Sequence, residues 1–410
     1  ARLAAETVMS RSVLIVAKAP TPGRAKTRLV PPLTADQAAA LQEALLLDTL
    51  EACQREAPGT ALLHADPFEA PALARLVGPH VPLVLQEGRG LGDALRLGMA
   101  RGLAGGPTAL VSSDIPGVPS GSLRRAFTLL EEGACDVVLG PALDGGYWLI
   151  AMREPSDAPF HAIPWSTPAA CAVTVQRCKE AGLEVATLDP WRDIDTPVDL
   201  AFVLRDVDEL PAPHTARTIR ELTLDGAVLD PPPPHLHASR LVIGSPWRAV
   251  IEDQLAGDRG RVSTYSYLAV PRAVFVVPVT DAGEVVFVRQ YRHPVRDWTL
   301  EVPAGSVEDG ETPLEAAERE LGEEVGGRAR DWRHLTTFYS SSAHLSLRSD
   351  AFLATGVLLG TPQPGEDEDV VVVPIPVEEA LARARSGGLL EGQTALALLL
   401  AAPHLGASGR

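Results

Sequence analysis

The chain has 410 residues, of which 46% are hydrophobic and 22% are charged, and its formal net charge is −17 at pH 7. This length and composition predict a globular protein of two or three domains. The acidic balance argues against a general nucleic-acid or anionic-membrane binder, since such proteins need basic surface to meet phosphates. No apolar run reaches the roughly 18 residues of a membrane span, and the first ten residues lack a signal-peptide core.

The cysteines give a further indication of the compartment. Their positions, Cys53, Cys135, Cys171 and Cys178, have neither the spacing of a metal site nor that of a disulfide framework. Ordinary thiols suit a reducing compartment. We therefore expect a cytoplasmic protein without nucleic-acid or membrane partners.

The first half of the sequence alternates strand-like and helix-like segments. Apolar runs predict strands at Val13–Val16, Leu83–Leu85, Ala109–Val111 and Val137–Leu139, and helical patterns cover about 35–53, 92–103 and 121–132. Such alternation favours an α/β domain with a parallel sheet, in which ligands bind beyond the carboxyl ends of the strands. Prolines at 211, 213 and 231–234 then predict a linker over residues 206–236. The predicted domains are residues 11–205 and 237–405.

Charged residues collect where the predicted strands of the first half end. Four cations follow the first strand on a turn of prolines and glycine, and they could wrap a polyphosphate: Lys18, Arg24, Lys26 and Arg28. Asp114 and Asp195 could hold one divalent ion. Taken singly, either acid is more often part of a turn or a helix cap.

The motifs K-x-P-x-x-G-x-x-K-T-R-L, S-D-I-P, G-P-x-x-D-G-G-Y and D-x-D-T-P-x-D together resemble those of small glycosyltransferase-A-fold enzymes. These are nucleotide-sugar transferases and nucleotidyltransferases, including bacterial glycosyltransferases of the arsenosugar type. The resemblance implies a Rossmann-like nucleotide-diphospho-sugar transferase domain, in which the four cations contact nucleotide phosphates and Asp114 and Asp195 bind metal. It also implies that Asp144, Gly145 and Tyr147 shape the acceptor side. Gly90 and Ala94 stand where relatives tend to carry charged residues, which counts against transferase activity.

A helix-sized segment of the second half carries the pattern G-x5-E-x7-R-E-L-x-E-E-x-G between Gly305 and Gly326. Thr312 and Pro313 suit the start of a helix. On that helix Glu320 and Glu324 share one face, with Glu323 beside them, because they are four residues apart. Three carboxylates repel one another unless a cation lies between them, and hard oxygen ligands suit Mg²⁺ or Mn²⁺. The alternative, a solvated acidic face, is what most charge runs prove to be.

This pattern is the signature of the Nudix hydrolases, and the second half resembles their ADP-ribose pyrophosphatase branch. The resemblance implies a Nudix α/β/α sandwich domain in which the Ala304 carbonyl, Glu320, Glu323 and Glu324 bind metal. It assigns Arg292 and Glu301 to substrate binding, and Arg319, Glu323, Glu366 and Glu368 to catalysis. Ser342-Ala343 replaces the usual Pro-Gly of ADP-ribose enzymes, so a related nucleoside diphosphate sugar stays open as the substrate.

We predict a hydrolase that uses Mg²⁺ or Mn²⁺ to split a diphosphate into two monophosphates. The ion would offset phosphate charge and lower the pKa of a water that a carboxylate deprotonates. The predicted partners are nucleoside diphosphate sugars such as ADP-ribose, and the resemblance implies a homodimer. Two alternatives remain: a glycosyl- or nucleotidyltransferase whose Nudix domain clears a nucleotide by-product, and a nucleotide-sensing first domain that regulates the hydrolase.

Overall fold

The computed structural model describes residues 11–222, 235–245, 248–256, 262–363 and 370–405. Its contacts divide the chain into two compact units, Ala1–Ser266 and Tyr267–Arg410. No helix in these described ranges is long and apolar enough to cross a membrane.

The first unit is built on a seven-stranded sheet. Its strands are β1 (Ser12–Ala17), β2 (Gly59–His64), β3 (Leu83–Leu85), β4 (Thr108–Ser112), β5 (Val137–Pro141), β6 (Tyr147–Met152) and β7 (Val185–Thr187). Their order is β3-β2-β1-β4-β6-β5-β7, and all neighbours pair in parallel except β6, which is antiparallel to β4 and β5. The four strands predicted from apolar runs are confirmed.

Helices cover both faces of this sheet. They are α1 (Ala35–Glu56), α2 (Ala70–Val77), α3 (Gly90–Leu103), α4 (Ser122–Glu131), α5 (Ala170–Glu180), α6 (Pro197–Arg205) and α7 (Pro213–Glu221). Because side chains alternate along a strand, β1 contributes Val13 and Ile15 to one core, and Leu14 to the core on the opposite face. The two cores confirm the α/β interpretation.

The predicted linker, residues 206–236, begins too early. Its α7 segment packs on α1, where Ile219 is buried with Leu41 and Leu45. Asp48 of α1 accepts hydrogen bonds from the backbone N–H groups of His214 (3.0 Å) and Thr215 (2.7 Å), which caps the start of α7. Pro213 therefore begins a helix, where its missing N–H costs nothing, instead of breaking one. Residues 223–234, with the proline run, lie outside the described residues, and the contact boundary at 266/267 falls later than the predicted one at 236/237.

Two further sheets follow in the chain. The strands β8 (His235–Gly244), β9 (Ala249–Ala256) and β10 (Val262–Ala269) form a three-stranded sheet in the order β10-β9-β8. The last sheet contains β11 (Ala273–Thr280), β12 (Glu284–Arg292), β13 (Asp297–Glu301), β14 (Ala304–Ser306), β15 (Asp331–Tyr339), β16 (Arg348–Val357) and β17 (Val370–Pro376). Its main path is β13-β12-β11-β16-β15, while β14 pairs with β11 and β17 with β12.

This last sheet lies between helices. The helices are α8 (Pro313–Val325), α9 (Val377–Ser386) and α10 (Gly392–Leu405). In β11, Val274 and Val276 pack in the core that holds Leu321 of α8, and Phe275 and Val277 pack in the core that holds Leu398 of α10. The predicted α/β/α sandwich is confirmed.

Candidate functional site

The helix α8 begins as its sequence predicts. The Thr312 side chain accepts a hydrogen bond from the Glu315 backbone N–H (3.3 Å), and the Glu315 carboxylate accepts one from the Thr312 N–H (2.7 Å). This capping box and Pro313 in the first turn satisfy the start of the helix. Gly326 ends it with a φ of 62°, a left-handed conformation that suits glycine. The ends of α8 thus fix which face its glutamates present.

Glu320 and Glu324 lie on the face of α8 that meets β14. They are 7% and 3% exposed, and an oxygen of Glu324 accepts a hydrogen bond from the Ala304 backbone N–H at 3.2 Å. A Cβ atom built on Gly305 would lie 1.8 Å from Oε1 of Glu320. With any other residue at 305 the Glu320 carboxylate would have to move, and the backbone at 304–305 meets two buried acids.

Arg319 connects the other carboxylates of the motif. Its Nε and Nη2 donate to the two oxygens of Glu311 at 2.8 and 3.0 Å, and its Nη1 donates to Glu320 (2.7 Å) and Glu323 (3.1 Å). Nη2 also donates to the Ser306 carbonyl at 2.8 Å. The hydrogen bond to Glu311 raises the pKa of Arg319, and Glu320 raises it further, against the opposing effect of burial. The structure thus gives Arg319, predicted to be catalytic, the contacts of a positioning residue.

Arg292 and Glu301, predicted to hold substrate, bind each other. The Nε and Nη2 atoms of Arg292 donate to the two Glu301 oxygens at 2.9 and 2.5 Å, and the Thr299 hydroxyl also donates to this carboxylate. Burial alone would raise the pKa of Glu301, but Arg292 and Thr299 outweigh it and lower that pKa. Glu301 is therefore an ionised carboxylate that fixes the guanidinium of Arg292.

The metal ligands of the second half stay predictions. In the part of the chain that the structure describes, no three Asp, Glu, His or Cys side chains are gathered so that they could hold a metal ion. Two of the three predicted carboxylate ligands, Glu320 and Glu323, form ion pairs with Arg319. Glu366 and Glu368, predicted to act as base, lie outside the described residues.

In the first unit, Lys26 joins the two predicted metal ligands. Its side chain is 3% exposed, and Nζ lies 2.6 Å from Oδ1 of Asp114 and 2.8 Å from Oδ1 of Asp195. Burial alone would lower the pKa of Lys26, but Asp114 and Asp195 outweigh it and raise that pKa. The structure brings Asp114 and Asp195 together, whereas their role as metal ligands stays a prediction, and the ammonium of Lys26 contacts these carboxylates and not open space for a phosphate.

The other three predicted phosphate-binding cations lie at the surface. Lys18 and Arg28 are exposed. Burial raises the pKa of Asp195, Lys26 lowers it most strongly, and the charges of Arg28 and Lys18 lower it further. Arg24 forms an ion pair with Asp66 at 2.8 Å. The structure thus leaves Lys18 and Arg28 as the cations near the acid pair that reach solvent.

The predicted acceptor segment forms a tight turn before β6. The Asp144 carboxylate accepts a hydrogen bond from the Gly146 N–H at 2.8 Å. Gly145 has a φ of 89°, and a Cβ there would lie 2.1 Å from the Pro168 carbonyl oxygen. The Tyr147 ring meets Trp165 edge-on at 6.1 Å, and its hydroxyl is buried. Asp144 is therefore the exposed acid of this segment, while Tyr147 packs into the protein.

Sequence reasoning missed two acids. Burial and the nearby carboxylates of Asp144, Asp195 and Asp199 raise the pKa of Asp193 to about 8. Its spacing from Asp195 in the D-x-D motif was the available signal. Asp350, 1% exposed on the apolar strand β16, receives hydrogen bonds from both Arg272 and Thr337. A charged residue within an apolar strand signals such a partner.

Two family models match the chain. The NUDIX domain matches residues 269–391, and the family described as "Uncharacterized protein conserved in bacteria (DUF2064)" matches residues 49–167. The ADP-ribose pyrophosphatase of Bacillus subtilis (strain 168) is 36% identical over 141 residues, which are 34% of this chain and 76% of that relative. The chain belongs to the Nudix family. The Nudix match contains α8 and its glutamates, so the second half is a Nudix hydrolase domain.

The first half has relatives of its own. The 2-phospho-L-lactate guanylyltransferase of Natronomonas pharaonis is 29% identical over 183 residues, which are 44% of this chain and 79% of that relative. A solved structure from Desulfovibrio desulfuricans G20, described as a candidate nucleotide-diphospho-sugar transferase, is 28% identical and covers 52% of this chain and 98% of its own, with a TM-score of 0.48. The Nudix domain follows a segment that matches the DUF2064 family.

Proposed function

We propose that the Nudix domain hydrolyses the diphosphate of ADP-ribose or of a related nucleoside diphosphate sugar, releasing two monophosphates. The observation that carries the proposal is the pair of buried carboxylates, Glu320 and Glu324, held against the backbone at 304–305. The substrate class is supported by the ADP-ribose pyrophosphatase of Bacillus subtilis, which is 36% identical.

The residues present suit a hard divalent ion, Mg²⁺ or Mn²⁺. Glu320 and Glu324 supply carboxylate oxygens, and the missing Cβ of Gly305 lets the Glu320 carboxylate approach the backbone. We propose Glu320, Glu323, Glu324 and the Ala304 carbonyl as the groups that would hold it. When bound, the ion would offset negative charge on the diphosphate and lower the pKa of water.

The protein's own side chains would divide the remaining work. Arg319 holds Glu311, Glu320 and Glu323 in place through its fork of donors, which spares the site a reorganisation during the reaction. Arg292, oriented by Glu301, has a half-exposed guanidinium that could contact a substrate phosphate or ribose. Glu323, Glu366 and Glu368 are the proposed proton acceptors for the attacking water.

The test compares two glutamates of one helix. Full-length protein with Mg²⁺ is incubated with ADP-ribose and a panel of nucleoside diphosphate sugars, and nucleoside monophosphate release is measured for wild type, Glu324→Gln and Glu318→Gln. We expect Glu324→Gln to lose activity, while Glu318→Gln, the same change at an exposed position of α8, retains it. Equal activity of both variants, or an inert wild type on the whole panel, would refute the proposal.

A second candidate function concerns the first domain. Asp114 follows β4 and Lys26 follows β1, so both lie beyond the carboxyl ends of parallel strands, where such sheets bind ligands. We propose that this domain binds the phosphates of a nucleotide and serves a glycosyl- or nucleotidyltransferase reaction. The guanylyltransferase relative at 29% identity supports the second chemistry. The test is calorimetric titration of nucleotides and nucleotide sugars into the Glu320→Gln/Glu324→Gln variant, with and without the further change Asp114→Ala. Equal binding affinity with and without Asp114→Ala would count against the proposal.

A further inference from the structure

We infer that Lys26 and a divalent ion compete for the same two carboxylates of the first domain, Asp114 and Asp195. The ammonium of Lys26 lies where an ion shared by these acids would have to lie. The domain would therefore exclude a free divalent ion until the ammonium of Lys26 pairs with another anion. The inference does not require that the Nudix domain hydrolyse any particular substrate.

The geometry of Lys26 is the first support. Its Nζ is within 2.6 Å of Asp114 and 2.8 Å of Asp195, with 3% of the side chain exposed, so one cation already bridges both acids. The surrounding backbone is anchored by buried neighbours, Ala25 and Leu29, and the Leu29 N–H donates to the Lys26 carbonyl at 2.9 Å. The lysine is thus part of a packed loop and not a surface cation that reaches over by chance.

The two acids are also fixed independently of the lysine. The Ile194 N–H donates to the Asp114 carbonyl oxygen at 2.9 Å, which ties the segment before Asp195 to the segment after β4. The Asp195 N–H donates to the carboxylate of Asp199 at 3.1 Å, next to the capping box that begins α6. The carboxylates therefore stay close whichever cation bridges them, as competition requires.

The charge balance of the site determines whether Lys26 or a divalent ion binds the two carboxylates. Two carboxylates and one ammonium leave one negative charge, which the exposed cations Lys18 and Arg28 offset further. A divalent ion that entered beside Lys26 would meet a positive charge within about 4 Å, and the two charges would repel each other. The ammonium must leave first, and a phosphate group is the anion that could receive it. Metal and phosphate would therefore enter this site together.

The test measures binding of Mn²⁺ alone, without nucleotide. The carboxylates of the Nudix motif are silenced by Glu320→Gln/Glu324→Gln in the full chain, and free Mn²⁺ is followed by electron paramagnetic resonance. In this background we expect Lys26→Met to gain one Mn²⁺ site that binds at least roughly tenfold more tightly than anything in the parent, because a unit charge at contact distance has been removed. Adding Asp114→Asn should abolish the gained site.

Two further variants of Lys26 serve as controls. Lys26→Arg keeps the positive charge and should gain no site. Lys26→Gln removes the charge but keeps a donor for the two acids, so it decides the matter if Lys26→Met does not fold, as judged by circular dichroism. Mn²⁺ binding by the parent as tight as by the neutral variants, or no gained site in either of them, would overturn the inference.

Discussion

The two domains solve the same electrostatic problem with different cations. On α8 the arginine Arg319 lies beside its acids, and its planar fork reaches Glu311, Glu320 and Glu323 while Glu324 bonds to the backbone. In the first domain the lysine Lys26 places one point charge between both acids. A guanidinium can brace several carboxylates from the side, whereas an ammonium occupies the shared position itself. The acids are thus braced from the side in one domain and already bridged by a cation in the other; under the proposed function only the first pair would be ready to receive an ion.

The largest expected effect comes from closing the space beside Glu320. In Gly305→Ala the new Cβ would overlap Oε1 of Glu320, 1.8 Å away, so the carboxylate must move. We expect hydrolysis to fall by about 10²-fold or more, the usual consequence of a displacement near 1 Å in a catalytic group. Steady-state kinetics with Mg²⁺ on the best substrate of the panel measures it.

The matched control is another glycine of the same motif. Gly322 lies within α8, and a Cβ built there meets no atom within 4 Å. We expect Gly322→Ala to retain activity and to gain roughly 0.5–1 kcal/mol of stability, since alanine is the better helix former. If both alanines are tolerated alike, Glu320 is not held where the structure places it.

The next effect tests whether the fork of Arg319 matters beyond its charge. Arg319→Lys keeps the positive charge but cannot contact both oxygens of Glu311 together with Glu320 and Glu323. We expect kcat to fall about tenfold, near 1.4 kcal/mol, with a smaller change in KM. The control is Arg383→Lys in α9, where an exposed arginine pairs with Glu379 and the change should stay within about 0.5 kcal/mol of stability. An unchanged kcat in Arg319→Lys would show that charge alone suffices.

Much of this picture follows from the sequence. The four-residue interval between Glu320 and Glu324 fixes a shared helix face, and Thr312 and Pro313 fix where that helix begins, because capping and helical periodicity are local properties. The apolar runs around Val13 and Val137 likewise determine buried strands.

The partners of the charged side chains did not follow from the sequence. Lys26 stands on a Pro/Gly turn that reads as a phosphate loop, yet its partner Asp195 is 169 residues away in the chain. Pro213 reads as a helix breaker until Asp48 of α1 is seen to cap the helix that it begins. Ion pairing across such separations depends on the packed fold, which local patterns do not encode.

A smaller effect is expected on the stability of the first domain. Lys26→Met removes the cation from two acids that are themselves about 40% exposed (41% and 37%), so solvent softens the loss, and we expect about 1 kcal/mol of destabilisation at pH 7. Burial alone would raise the pKa of Asp195, but Lys26 outweighs it and holds that pKa below its usual value. The ion pair therefore stabilises the fold above the unfolded pKa of about 3.9, and this stabilisation disappears as pH falls through the folded pKa. Urea unfolding of wild type and variant at pH 7 and pH 3 should show the difference shrinking with acid. A difference that is independent of pH would mean that packing, not charge, explains the loss.

The last prediction concerns the protonation of Asp193, and its expected effect on stability is the smallest at low pH. Burial and the surrounding carboxylates raise its pKa to about 8, so below the unfolded pKa of about 3.9 it is neutral in both the folded and the unfolded state, and Asp193→Asn, which is also neutral, should change stability there by only a few tenths of a kcal/mol. Above the unfolded pKa the folded state holds a proton that the unfolded state has lost, so wild-type stability should fall as pH rises toward 8, and the asparagine variant should lack that part of the decline. Unfolding curves at pH 3.5, 6 and 8 measure the divergence. Parallel declines would mean that Asp193 is ionised in the folded state, and the first domain would then carry more negative charge around Lys26 than this arrangement implies.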